Sequence, residues 1–317
     1  MMRKLTIADV AAKAGVSTAT VSRALKGDPS VKEKTRLHVA AIAQKLGFTP
    51  SAGGRLLSQG ETAVVGLSLG RRDYETSRYV SLMHQTLSRQ LIGQGWSLRL
   101  VLAHEFEEMA DRLGSFVLIG VSQEDPRIAL CQQREVPFVA IGASMSDVFW
   151  VAPDDRGGAE AAIECLAPYA GKALHILHHQ CAPLNERLQS AFAHASKLGL
   201  KAVPIAVAPG PMAGLAGYRG LSTFLRGGDR PEAMFAETDE LALGAMAALE
   251  DHGIRPGIDV RIIGFDDLPH IAEGVTTLRQ DFAEIAKAAL DLLSEARNQQ
   301  VARSVRIPVS LIRRQSC

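Results

Sequence analysis

The sequence predicts an α/β protein in which a small all-α head precedes two doubly wound parallel α/β subdomains. Three observations lead there. Residues 7–46 carry apolar positions at helical spacing, broken by Gly15 and by Gly27-Asp28-Pro29. From residue 62 onward, short apolar runs alternate with amphipathic helical stretches, the pattern of parallel sheets covered on both faces. The charge is also divided. Residues 1–60 hold ten Lys or Arg against three acids, a net of +7; since the whole chain is +1, the remainder is −6. A basic head on a mildly acidic body implies a polyanion-binding module joined to a second unit.

The head reads as three short helices. Thr6 opens the first, with Asp9 favouring the positive helix end and Ile7, Val10, Ala11 and Ala14 on one face. Gly15 supplies the turn, because it tolerates left-handed backbone. Ser17 caps the second helix, "TATVSRAL", and Ser30 with Glu33 reads as a capping box for the third. That helix turns Val31, Thr35, Val39, Ile42, Ala43 and Leu46 inward before Gly47 stops it. Helix, glycine turn, helix and support helix is the layout of a helix-turn-helix DNA reader. Val21, Ala24 and Leu25 face the core with Val10 and Val16, which leaves Thr18, Ala19, Ser22, Arg23 and Lys26 on the opposite face. Arg23 offers paired donors to guanine O6 and N7, and Thr18 and Ala19 suit a thymine methyl. Thr20, Ser22 and Lys26 suit phosphates.

Next comes "TPSAGGRLLSQGE", residues 49–61, a helix weakened at Gly53 and Gly54, each costing about 1 kcal/mol relative to alanine. The expected division is a headpiece over 1–48, a hinge over 49–61 and a core over 62–317. In the core, "AVVGLSL", "SLRLVLA", "FVLIGV", "PFVAIGA", "ALHILHH", "KAVPIAV", "AMFAE" and "VRIIGF" read as buried strands. "VSLMHQTLSRQLIGQG" and "DELALGAMAALEDHG" read as helices between them. Ligands of open α/β sheets bind beyond the strand C-termini, so a cleft between two halves is expected.

"LTIADVAAKAGVSTATVSRALKGDPSVKEKTRLHVAAIAQKLGFTP" resembles the DNA-binding headpiece of the lactose-repressor (LacI/GalR) family of bacterial transcription regulators. The resemblance is carried by V-S-x-x-T-V-S-R and the following T-R-x-x-V. It implies that "SAGGRLLSQGE" is a hinge that becomes helical when two subunits meet on operator DNA, with Leu57 as an apolar wedge in the minor groove. The expected DNA contacts are Thr6, Ser17, Thr18, Ala19, Thr20, Ser22, Arg23, Lys26, Arg55 and Leu57.

Further on, "PDDRGGAEAAIECL", "AETDELALGAMAALEDHGIRPGIDVRIIGFDDLP", "TTLRQDF" and "PVSLIRRQSC" are similar to segments of the family's effector-binding core. That core resembles type I periplasmic sugar-binding proteins and closes around a small molecule. The resemblance implies a sugar or sugar derivative as effector, with Arg187 and Asp266 as contacts. Thr238, followed by Asp239, stands where the family usually has asparagine, and Met212 stands where an aromatic often stacks on the sugar. The loop "GRRDYETSRYV" places Arg71, Arg72 and Arg78 near the expected cleft. These arginines favour an anionic effector, or else pair with Asp73 and Glu75.

No catalytic set, cofactor or metal is expected. "GLSLG" matches the G-x-S-x-G nucleophile elbow, but Ser68 lies inside a continuing strand, so a serine hydrolase is the weaker alternative. His175, His178, His179 and Cys181 are metal-capable, yet neighbouring strand positions point to opposite faces; a strand end bordering the cleft explains them better. The expected function is therefore that of a DNA-binding transcription regulator, repressing in the default manner that the resemblance implies, and not an enzyme. It is expected to be cytoplasmic: no apolar run reaches the ~18 residues of a membrane span, Asp9 and Lys13 interrupt any signal-like run, and the four cysteines are scattered. A homodimer would match a pseudo-palindromic operator, and "PVSLIRRQSC" carries no leucine heptads for a tetramerising tail.

Overall fold

The computed structural model describes residues 7–25, 28, 30–46, 63–70, 77–122, 124–142, 145–171, 173–180 and 185–317. Thr6, Lys26, the hinge with Arg55 and Leu57, the loop residues Arg71 and Arg72, and Cys181 lie outside the described residues.

The head has a core of its own. Its helices are α1 (Ile7–Ala14), α2 (Thr18–Leu25) and α3 (Glu33–Leu46). Val10, Val21 and Val39 meet with no exposure, one from each helix, and Val16, Leu25, Val31, Ile42 and Leu46 pack around them. Gly15 takes a φ of +66°, the conformation the turn requires. The third helix starts later than the Ser30 cap predicts. The Ser30 amide donates to Asp28 Oδ1 (2.8 Å), closing a turn, and the Lys32 carbonyl accepts the first amides of α3.

Two six-stranded sheets form the body. Sheet 1 contains β1 (Ala63–Leu69), β2 (Trp96–Val101), β3 (Phe116–Ile119), β4 (Phe138–Ile141), β5 (Trp150–Pro153) and β11 (Ser304–Ile307). Sheet 2 contains β6 (Ala173–His179), β7 (Lys201–Val207), β8 (Ala233–Ala236), β9 (Arg261–Asp266), β10 (Thr276–Arg279) and β12 (Ser310–Ile312). Their orders are β11-β5-β4-β3-β1-β2 and β12-β10-β9-β8-β6-β7. Every pairing is parallel except β10 with β12.

Both sheets are buried on both faces because successive strand residues go to opposite sides. In β3, Val117 and Ile119 join the core under α4 (Arg78–Ile92) and α11 (Phe282–Arg297), whereas Phe116 and Leu118 join the one under α5 (Phe106–Arg112) and α6 (Pro126–Gln133). In β8, Met234 and Ala236 face α9 (Ala213–Arg226) and α10 (Asp239–Asp251). Ala233 and Phe235 face α7 (Asp155–Leu166) and α8 (Glu186–Lys197). Helices α9 and α10 touch backbone to backbone: a Cβ on Gly244 would collide with the Gly214 carbonyl oxygen. Gly244→Ala should therefore destabilise the chain by about 1–3 kcal/mol, read as a melting temperature lowered by several degrees in calorimetry.

The chain passes between the sheets three times: from β5 into α7, from β10 into α11, and from β11 into β12. The first two passages leave from strand C-termini, so the C-terminal ends of the two sheets face each other. The passages also lie side by side. The Asp154 amide donates to the Ile307 carbonyl (2.8 Å), and Arg279 pairs with Ser310. Among the described residues, no helix is long and apolar enough to cross a membrane.

Candidate functional site

The outer face of α2 is the first site. Thr18, Ala19 and Arg23 are exposed and Ser22 is half-buried, while Val21 and Ala24 anchor the helix beneath them. Ser17 Oγ accepts the Thr20 amide (3.1 Å) and lies 2.9 Å from Thr20 Oγ1. The hydroxyls of Ser17 and Thr20 thus fix the helix start, as an N-cap does. Ser17→Ala should cost ~1 kcal/mol of headpiece stability, measurable as a lowered melting temperature of the head.

The second site lies at the facing strand ends. In each sheet the strand order reverses beside its first strand, so a ligand crevice is expected between β1 and β3 and between β6 and β8. The first crevice is filled by a buried side chain. Arg127, in the first turn of α6, donates to the Ser68 carbonyl (2.9 Å), the Ile119 carbonyl (3.2 Å) and the Gly120 carbonyl (3.4 Å). Asp125 holds it through Nε–Oδ1 (2.9 Å) and Nη2–Oδ2 (2.7 Å). Burial is the largest single influence on the Asp125 carboxyl and pushes it up, but the hydrogen bonds and the positive charge of Arg127 together outweigh this and leave it below the usual range.

At the second crevice Glu237 joins the ends of β6 and β8. It accepts the His179 amide (2.9 Å) and the Asn185 side-chain amide (2.7 Å), and Asn185 in turn caps α8 by accepting the Leu188 amide (3.0 Å). This cap aims Arg187 inward. Its Nε and Nη2 reach Asp155 Oδ1 (2.8 and 2.7 Å), and Nη1 donates to the Glu237 carbonyl (2.7 Å) and lies 3.4 Å from Asp266 Oδ1. The guanidinium also stacks 3.5 Å from the Phe265 ring centre. Asp266, at a φ of +110°, accepts from Gln280 Nε2. One arginine therefore ties α8 of sheet 2 to the first passage and, through Asp266 and Gln280, to the second. Arg306 of β11 adds a bond to Glu186 of α8 (2.8 Å), linking the two subdomains.

A profile described as "Bacterial regulatory proteins, lacI family" matches residues 6–51, and one described as "Periplasmic binding protein-like domain" matches residues 172–317. The chain joins a DNA-binding domain of the lacI family to a periplasmic-binding-protein-like domain. It is 25% identical to the lactose operon repressor of Escherichia coli (strain K12) over 99% of this chain and 91% of that one. It is 29% identical to the HTH-type transcriptional regulator GalR of the same organism, over 90% of this chain and 88% of GalR. Among solved structures it is similar to the lac repressor dimer bound to operator and the anti-inducer ONPF (TM-score 0.71, 22% identity, 99% of each chain). It is also similar to the CelR–cellobiose complex (TM-score 0.70, 20% identity, 99% of this chain and 100% of that one).

Within this periplasmic-binding-protein-like core the expected effector residues separate. Arg187 and Asp266 come together as just described. Asp239 does not present its carboxylate to a ligand: it is fully buried, accepting the Leu268 amide (2.8 Å) and the Thr277 hydroxyl. It braces the turn after β9, a role its place at the start of a helix did not disclose. Thr238 uses its hydroxyl to cap α10, accepting the Leu241 amide (3.3 Å). Met212 sits before α9 with 62% of its surface exposed. Ser68 is fully buried within β1, one residue before the strand ends, so it forms no nucleophile elbow. The family is one of transcription regulators rather than enzymes. His175 packs on Phe224 of α9 and His178 on Phe192 of α8, so they occupy opposite faces of sheet 2, as strand alternation requires. Only His179 of the three reaches the Glu237 cluster, its Nδ1 3.4 Å from the carboxylate.

Sequence reading missed Arg127, Glu237, Asp155 and Gln280. The Asp125-Pro126 helix start was a readable signal for the first; nothing local marked the others.

Burial pushes the Asp239 carboxyl up to about 7. Between about pH 4 and 7 the folded chain then holds a proton that the unfolded chain has lost, so this carboxyl's contribution to stability is present at pH 4 and lost as pH rises through 7. The urea midpoint of the native chain should fall, relative to that of Asp239→Asn, between pH 5 and 7.5. Parallel midpoints would rule this out.

Proposed function

We propose that this regulator is a homodimer that reads a pseudo-palindromic operator with two headpieces, represses in the cytoplasm, and changes its operator affinity when a sugar or sugar derivative binds at the strand-end cluster. The observation that carries this reading is the α2 face. Small polar and methyl-bearing groups with one arginine stand exposed on a helix whose opposite face is the core of a separate +7 head. That composition suits entry into a major groove. The division into headpiece 1–48, hinge 49–61 and core 62–317 belongs to the same proposal. So does the assignment of Thr6, Lys26, Arg55 and Leu57 to DNA contact.

The three adjacent passages support the control step. A small rotation there changes the spacing of two headpieces in a dimer, and a ligand that favours one angle shifts operator affinity by its differential affinity for the two angles. The relatives add support, since one solved neighbour is a lac repressor dimer on operator and another holds cellobiose. The carboxylates around Arg187 do not favour the anionic effector that the loop arginines suggested.

Selection of bound duplexes from random DNA tests the reading. A two-fold symmetric consensus should emerge, with affinity falling steeply as salt rises. Addition of the sugars recognised by the core should change that affinity. Leu57→Ala should loosen binding, and Gly53→Ala with Gly54→Ala should tighten it while blunting the effector response. Failure to enrich any sequence, or binding indifferent to salt, would sink the proposal.

A further inference from the structure

The strand-end cluster holds more carboxyl groups than its own cations can pair. Asp155 and Asp266 both close on Arg187, Glu237 lies beside it, and Asp239 stands close enough to act on Asp266. Three carboxyl groups, those of Asp155, Asp266 and Glu237, thus share the one guanidinium of Arg187, with His179 Nδ1 3.4 Å from Glu237. The neighbouring acids are already paired: Asp267 with Arg279 and Arg314, and Glu186 with Arg306. At the rim of the cluster Glu240 is answered by Arg78.

A second observation is independent of charge. Gln280 is 4% exposed, its Nε2 donates to Asp266, and its Oε1 has no hydrogen-bond partner. A buried acceptor left without a donor is unfavourable by ~1–3 kcal/mol, so this position calls for an N–H or O–H group from outside. A hydroxyl would satisfy the acceptor but leave the charge. A metal ion would answer the charge, but no group of three or more His, Cys, Asp or Glu is arranged to hold one among the described residues. An ammonium group meets both needs, with three donors and one positive charge.

We propose that the effector carries a protonated amine beside hydroxyl groups, as an amino sugar does, with the ammonium seated between Asp266 and Gln280 Oε1. This rests on the reading of the strand-end cluster as the effector site. Arg187 and Asp155 remain to position the hydroxyls. Burial pushes the carboxyls of Asp239 and Asp266 up, and at Asp266 the neighbouring Asp239 and Asp155 push the same way against Arg187; an ammonium seated there would hold Asp266 ionised.

Calorimetry on the full chain with matched sugars tests the proposal: glucose, glucosamine and N-acetylglucosamine, and the same three forms of galactose and mannose. In at least one set the free amine should bind about tenfold or more tighter than both neutral forms, equivalent to ~1.4 kcal/mol or more. Asp266→Asn should bring the three forms within about twofold. Should that variant fold poorly, Gln280→Glu, which adds charge at the same atom position, should widen the preference instead. Equal or tighter binding of the neutral forms, a preference that both variants leave unchanged, or no binding of any amine would overturn the proposal. Neutral sugars that shift operator binding while amines do not would refute the amine alone. If no compound of either kind shifts operator binding or the melting temperature, the effector reading fails with it.

Discussion

Arg187→Met should lower the unfolding free energy by about 3–5 kcal/mol, the range for removing one partner from a buried ion-pair network. The loss is large because Arg187 is the cation closest to Asp155 and Asp266 and also holds the Glu237 carbonyl. Without it, two buried carboxylates must take up protons or open to water. Urea unfolding at pH 7 measures the loss, and adding Asp155→Asn should restore part of it by removing one of the stranded charges. Arg187→Lys keeps the charge but not the planar fork, so it should fall between the two. Any variant that folds should also lose the coupling between effector and operator, because the passages would no longer share one side chain. A change below ~1 kcal/mol would mean that the arginine is solvated in solution and holds nothing together.

The second large effect is on DNA. Arg23→Ala should weaken binding to the selected operator by about 1–3 kcal/mol and relax discrimination at one guanine. Binding to non-specific duplex should change far less, since a base-edge contact is lost and the remaining head cations are kept. Because Arg23 is exposed and the buried residues of α2 are Val21 and Ala24, the head should melt unchanged. Fluorescence anisotropy with operator and scrambled duplexes separates the two outcomes. Equal losses on both would make Arg23 a phosphate contact.

The head was legible because its signals are local. Gly15, the Ser17 cap and the spacing of Val10 and Val21 lie within a dozen residues of one another, and only the start of α3 shifted, where Asp28 claims the Ser30 amide. The eight apolar runs of the body were legible for the same reason. Strands β5, β10, β11 and β12 were not: TTLR, SVRI and SLI mix polar residues into three or four positions, and WVAP ends on proline, so none stands out as an apolar run. Those are also the strands that carry the three passages.

The cluster was half legible. Arg187 and Asp266 came from resemblance to a family pattern. Their environment came from pairings such as Asp239 with Thr277, 38 residues apart, and Arg187 with Asp266, 79 apart, which no local pattern encodes. Arg127 shows the limit plainly. Its helix start was readable from Asp125-Pro126, but its reach back to Ser68 depends on how β1 and β3 are paired.

The order in which the passages occur along the chain has a consequence for synthesis. Sheet 1 takes its last strand from residues 304–307 and sheet 2 from residues 310–312. Neither half of the body can close until residues 304–312 have left the ribosome. The three helices within residues 7–46 need nothing that follows them. At about 5–20 residues per second, a nascent chain carries a finished head ahead of an unfinished body for tens of seconds. During that interval the head is present without the part that regulates it.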